Sequence, residues 1–444
     1  MQTRTLSASL PIEILDRILQ ALNYSNDTHS LKNCSLVSHI FLQPSRRYLF
    51  QRVSVHIAIS HLDSIPHVHQ SDFLQFLSDN DHVASFMREL RLVPRSVSPL
   101  VDRPQLSSSG YIGELSSQQP VQLLISLEMF ASKLEALRKK ALGLWRLSII
   151  ADMLYDWTAL NDKLRSAVLS FCTIPTLQAL ELKYLGMSTA ELEGFIGCNS
   201  PLTSLVLHGI HQVKPNAFGN AFSQSHSMEM CQQKGIPQLD LDVLVENTGS
   251  STLMVNLVHK AGSRLSSLKW HSSPSVVDQD SYFHRLSLHL LPNLKHIAVS
   301  VPLRSNIGLE ELNSFLSGMN QTDGVWPASD GVDTRERGLP LRSITLELDC
   351  QKVPNSRVYS NWNWSLLDEI LTSTQPAHDT PGATHASQFP ISYPNLESVV
   401  LSVKPMPTLT RPMARHAILE ELFGIFQQML PYANSRKLLQ KQSF

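Results

Sequence analysis

The chain has 444 residues, 42% of them hydrophobic and 17% charged, and its 37 basic residues against 38 acidic ones leave a net charge of −1. This length accommodates two or three domains or one long repeat array, and the charge balance excludes a chain-wide attraction to nucleic acid or to an anionic membrane. The cysteines Cys34, Cys172, Cys198, Cys231 and Cys350 are odd in number and contain no C-x-x-C pair. They form neither a disulfide framework nor a zinc module and read as free thiols in a reducing compartment. MQTRTLSASLPIE carries no long apolar run at the start, and no bilayer-length apolar stretch follows, so a cytoplasmic and/or nuclear location is expected.

The first organised stretch runs from Leu10 to Phe50. Ser9 is a capping-type residue, and Pro11 suits a first helical position because its missing N–H costs nothing there. Ile14, Leu15, Ile18, Leu19 and Leu22 then recur at helical spacing as one apolar stripe. Asn23–Ser30 is polar and turn-like. Leu31, Cys34, Leu36, Val37 and Phe41 make a second apolar set. Pro44 and Ser45 are expected to reopen the chain, and Tyr48, Leu49 and Phe50 to close a short third helix. A unit of about 45 residues is near the lower limit for a self-sufficient core. Leu10, Pro11 and Ile14 at its start therefore imply surplus apolar surface, to be covered by a partner or by the rest of the chain.

These residues resemble the F-box, the adaptor-binding module of SCF-type ubiquitin ligases. The matching positions are Leu10-Pro11, Glu13-Ile14, Ile18-Leu19 with Leu22, Ser35-Leu36-Val37-Ser38 and Leu49-Phe50, and Ser45-Arg46-Arg47-Tyr48-Leu49-Phe50 is especially similar to F-boxes of basidiomycete fungi. The resemblance implies an F-box over residues 6–52 that docks on a Skp-type adaptor through Leu10, Pro11, Ile14, Ile18, Leu36 and Val37. Through that adaptor it would reach a cullin and a ubiquitin-conjugating (E2) enzyme. It implies a receptor subunit without catalytic residues or cofactor. The other reading of the same residues is an N-terminal helical cap on a repeat domain.

After Phe50 the period changes. Val53, Val55, Ile57 and Ile59 alternate as in a strand. One triplet then recurs: apolar, two residues, apolar, one residue, apolar. It reads Met87/Leu90/Leu92, Leu144/Leu147/Ile149, Leu177/Leu180/Leu182, Leu202/Leu205/Leu207, Leu265/Leu268/Trp270, Leu294/Ile297/Val299, Leu341/Ile344/Leu346 and Leu396/Val399/Leu401. Its last two members point to one face of a strand, and the first fits a turn entering it. Pro175, Pro201, Pro292, Pro340 and Pro394 sit just ahead of several copies. Between copies lie amphipathic stretches at Asn161–Cys172, Ser188–Ile196, Ile307–Met319 and Trp364–Thr374. Strand plus helix, with Leu180 and Leu205 25 residues apart, fits a leucine-rich-repeat-like unit. The other spacings are longer, and the Asn or Cys that usually follows the strand is absent. The expected fold class is therefore α/β, a three-helix F-box followed by an irregular leucine-rich-repeat-like solenoid over 53–440. An ordinary α/β domain with crossover helices is the alternative.

Polar insertions are expected near 94–120, 320–338 and 374–392, with a weaker one at Asn216–Gly235. Pro412–Pro431 reads as a terminal amphipathic helix capping the array, and Ser435–Phe444 as a possible last strand.

Signs of chemistry are sparse. The phosphate-binding, dinucleotide-binding, nucleophile-elbow and zinc-protease motifs are all missing. His56, His61, His67 and His69 cluster in sequence, but His56 faces away from the apolar side of its strand and the others fall in a Pro-containing link, so they read as surface or loop residues. Glu310-Glu311 and Glu420-Glu421 are adjacent on helices and do not face each other. Trp362 and Trp364 in SNWNWS read as a core edge or, less simply, as a stacking platform. The expected function is substrate recognition for a ubiquitin ligase, with a repeat scaffold outside any ligase as the alternative.

Overall fold

The computed structural model describes residues 11–25, 27–59, 64–96, 119–196, 201–213, 238–245, 248–272, 286, 288–302, 306–317, 340–349, 363–372, 393–403 and 412–441. Leu10, the insertions at 320–338 and 374–392, and most of 94–120 lie outside these residues. The chain divides into two compact units: Met1–Gly186 with Gly194–Leu202, and Met187–Glu193 with Thr203–Phe444.

The first unit begins with three helices, α1 (Ile12–Tyr24), α2 (Thr28–Val37) and α3 (His39–Leu49). Leu15, Leu19 and Leu31 form their core, with Leu22, Cys34, Phe41, Tyr48 and Leu49 packed around it. The expected link at Asn23–Ser30 is shorter than its composition implied. Asp27 caps α2 by accepting from the Ser30 N–H at 2.9 Å, so Thr28–Ser30 is already helical. The expected break at Pro44 and Ser45 is also corrected, because α3 runs through both. Proline removes one helical hydrogen bond. Here tertiary contacts outweigh that loss: Tyr48 and Leu49, beyond the proline, pack on the leucine core, and the Tyr48 hydroxyl donates to Asp16 Oδ1 at 3.0 Å.

Four parallel strands follow: β1 (Arg52–Ile59), β2 (Glu89–Ser96), β3 (Arg146–Asp156) and β4 (Ala179–Met187). They pair in chain order. Between them come α4 (Ser64–Asp79), α5 (Asp81–Ala84), α6 (Gln119–Lys140) and α7 (Asp162–Phe171), and α8 (Thr189–Ile196) spans the boundary between units. α4 packs on β1, and α6 lies between α4 and α7. The link expected to hold His67 and His69 is thus helix α4. Pro66 is tolerated because it lies in the first turn, where no intrahelical N–H is needed.

The second unit holds β5 (Ser204–His208), the two-residue β6 (His211–Gln212), β7 (Leu239–Val245), β8 (Leu265–Ser272), β9 (His296–Pro302), β10 (Ser343–Asp349), β11 (Ser398–Val403) and β12 (Leu439–Lys441). From β5, strands β7 to β12 add one after another, all parallel. The helices are α9 (Thr248–Ala261), α10 (Asn306–Ser317), α11 (Trp364–Thr372), α12 (Pro412–Met429) and α13 (Pro431–Ser435). Each unit is therefore α/β with parallel strands.

All eight apolar triplets are buried. Their first members enter turns: the N–H groups of Leu144, Leu177, Leu294 and Leu396 donate to the carbonyls of Ala141, Ile174, Leu291 and Tyr393. In three of these turns Pro175, Pro292 or Pro394 occupies the second position, where its fixed φ favours the bend. In register with its neighbours, strand β7 has Gln238 where the first apolar residue of the triplet would stand. Its Leu239, Leu241, Val243 and Val245 are buried all the same. Helices α6 and α9 were likewise not expected, although Leu127, Phe130, Leu134 and Leu137 form a buried stripe at helical spacing. Trp364 belongs to the core, edge-on to Phe426 at 4.8 Å; Trp362 lies outside the described residues.

Candidate functional site

The three N-terminal helices sort their apolar residues into two groups. Leu15 and Leu19 point inward. Ile14 and Ile18, one residue back from each and one turn apart, stay 42% and 45% exposed. The apparent single stripe of α1 is thus two adjacent stripes, and only one is used internally. On α2, Leu31 and Cys34 face the core, while Leu36 and Val37 at its C-terminal end are 82% and 77% exposed. Ser38 follows in extended conformation and its Oγ accepts from the Ile40 N–H at 3.4 Å, starting α3. This brings Ile40, 47% exposed, close in sequence to Leu36 and Val37 at the α2–α3 corner.

Of the expected adaptor-facing residues, Pro11, Ile14, Ile18, Leu36 and Val37 are therefore all solvent-exposed, and Leu10 lies outside the described residues. Ile12, 61% exposed, and Ile40 were not expected. Ile40 stands one residue off the inward Phe41 and could have been read as outward, whereas Ile12 lies three residues before Leu15 on the inward spacing and only the structure shows it exposed. Exposed β-branched and leucine side chains gathered on so small a unit leave apolar surface for a partner. Covering five of them is worth on the order of 5 kcal/mol before the cost of association.

The scaffold behind this face is tied by polar contacts. Burial, and then the hydrogen bond to Asp16, push the Tyr48 phenol above its usual pKa. Two hydrogen bonds from Ser30, through side chain and backbone, hold the Asp27 carboxyl below the usual range.

A second polar cluster lies in the second unit. His208 Nε2 stands 3.1 Å from Asp242 Oδ1, His271 Nε2 3.5 Å from the same oxygen, and His271 Nδ1 3.1 Å from Glu347 Oε2. The last pair reaches from β8 to β10 across β9, where the small side chains of Ala298 and Ser300 leave room. Burial acts to raise the Asp242 carboxyl, but the His208 hydrogen bond and the charges of His208, His271 and Lys269 hold it below the usual range. Ser300 pairs in register with Glu347, yet both nitrogens of His271 face carboxylates. Neither is left in this arrangement to take a proton from a serine, as nucleophilic catalysis requires. The cluster reads as a cross-strand clasp. Among the described residues, no group of three or more His, Cys, Asp or Glu side chains is arranged to hold a metal ion. No helix among them is long and apolar enough to cross a membrane.

Fold and face together define an α/β protein with an exposed apolar helical surface at its start. No family model and no curated protein matches the chain.

Proposed function

We propose that this chain is the substrate receptor of an SCF-type ubiquitin ligase, active in the cytoplasm or nucleus. Its three N-terminal helices serve as an F-box for a Skp-type adaptor, and through it a cullin and an E2 enzyme. The strand–helix units behind them form a leucine-rich-repeat-like solenoid that holds a protein substrate. The chain itself performs no chemistry. It tethers the substrate near the charged E2 and so raises the effective concentration of substrate lysines there.

The observation that carries this reading is the exposure of Leu36 and Val37, 82% and 77%, directly beyond the residues of α2 that build the core. In the resemblance these positions belong to the adaptor face, and apolar side chains held in water invite a partner. The solenoid reading is supported by strand order. Apart from the two-residue β6, successive strands within each unit add to the same edge without reversal, whereas a doubly wound α/β sheet reverses its order at a switch point.

The test is co-expression of the chain with a Skp-type adaptor, followed by purification through a tag on the adaptor. The wild-type chain is expected to co-purify, and Leu36→Asp/Val37→Asp to be lost from the complex while remaining folded. A wild-type chain that does not co-purify, or a double variant retained equally, refutes the ligase role. In that case, a protein partner still captured after removal of the first 52 residues points to the scaffold function.

A further inference from the structure

We propose that the strand face of the first unit around Arg91 is a docking surface for an acidic, Asp/Glu-rich segment of a partner protein. This deepens the receptor reading by giving the substrate a chemistry, and it rests on that reading only for what becomes of the bound protein.

The core side chains Val53, Leu90, Leu147 and Leu180 all point to one side of the β1–β4 sheet. Strand alternation sends their neighbours to the other side. Register then sets out two rows on that side: Arg52, Glu89 and Arg146 in one, and Ser54, Arg91, Ser148 and Glu181 in the next, with Lys183 further along β4. Among these residues four cations stand against two carboxylates. Glu89 pairs with Arg52 at 3.3 Å. Glu181 takes both Arg146, at 2.8 Å, and Lys183, at 2.7 Å, and also accepts from the Ser148 hydroxyl at 2.8 Å.

Arg91 is the cation this pairing leaves over. It is exposed, and no anionic partner engages it among the described residues. Its cross-strand neighbours, Ser54 and Ser148, are short hydroxyl residues that leave the guanidinium uncovered. Guanidinium binds a carboxylate in bidentate fashion, adding geometric fit to charge. Glu181 is already saturated, so the excess positive charge is open to an incoming anion.

A protein segment suits this face better than a nucleic acid. An excess of two charges over these two rows and Lys183 is far short of the continuous basic strip that a phosphate backbone rewards. The strand face of the second unit has the opposite balance, with Asp240, Asp242 and Glu347 against Lys269, so the acidic preference is specific to the first unit.

The experiment measures binding of a fluorescein-labelled peptide of ten glutamates to the full chain by fluorescence anisotropy, at low and at raised salt. A ten-lysine peptide and a ten-nucleotide single-stranded DNA are run in parallel. The glutamate peptide is expected to bind and the lysine peptide not to. Arg91→Ala is expected to weaken binding at least about fivefold, Arg91→Lys to restore part of it, and raised salt to weaken it. Lys269→Ala, which removes the same charge from the second unit, is expected to leave it unchanged. Thermal melting within about 2 °C of wild type shows that Arg91→Ala is folded; if it is not, Arg91→Gln takes its place. Absence of glutamate-peptide binding, equal losses for Arg91→Ala and Lys269→Ala, or tighter binding of the DNA overturns the proposal. Adaptor co-purification does not depend on Arg91, so the two readings fail separately.

Discussion

The carboxylate of Asp368 on α11 accepts hydrogen bonds from the backbone N–H groups of Tyr432 and Ala433, both at 2.8 Å. Asp368 is 1% exposed, and α13 has no side-chain cap of its own. A residue more than sixty positions earlier thus satisfies the first turn of the last helix. Asp368→Ala leaves two N–H groups unsatisfied at a buried helix start, and a loss of about 2–4 kcal/mol is expected in urea unfolding. Asp368→Asn keeps one acceptor oxygen and should cost less.

The two faces of the N-terminal helices separate stability from binding. Leu19 is fully buried, so Leu19→Ala should cost about 2–5 kcal/mol. Val37→Asp, on the exposed side, should change stability by about 0.5 kcal/mol or less yet abolish adaptor co-purification. A Val37→Asp chain that unfolds would show this face to be structural rather than free.

Glu181 gives a pH signature. Burial works to raise its pKa, but hydrogen bonds from Lys183, Arg146 and Ser148 prevail and hold it at about 2, below the ordinary glutamate value of 4.5. A depressed carboxylate contributes stability above its unfolded pKa and loses it as pH falls through the folded one. Glu181→Gln should therefore lie about 2 kcal/mol below wild type at pH 7. The gap should narrow below pH 4.5 and close near pH 2. A gap independent of pH would mean that shape, not charge, does the holding.

Cys172 is buried at the end of α7, and burial pushes its thiol up to about 12. The thiolate is the reactive form. In the native chain at pH 7.5, peptide mapping after iodoacetamide treatment should find Cys172 unmodified, with modification appearing only in denaturant.

How much of this was legible in the sequence varies by element. The triplets identified eight strands and their inward residues, because a strand's period of two fixes facing once any one position is known to be buried. Strand β7 escaped, although the alternation from Leu239 to Val245 is intact and Ile236/Leu239/Leu241 fits the triplet spacing. The stripe of α6 was readable and was hidden only by the polar stretch before it. The candidate adaptor residues are legible as apolar, but Ile14 and Leu15, or Cys34 and Leu36, cannot be told apart by hydropathy alone.

The local periods along this chain therefore determined which segments are strands, most of the helices, and which side of each strand is apolar, because these depend on neighbours within a few residues. Tertiary structure decided the rest. The packing of α1 against α2 and α3 chose which of two apolar stripes is buried. Contacts of Tyr48 and Leu49 carried α3 through Pro44. Strand register brought Glu181 to Arg146 and left Arg91 without an anion among the described residues. Each of these joins residues distant in the chain, and pairing across such distances is set by the assembled fold, not by local spacing.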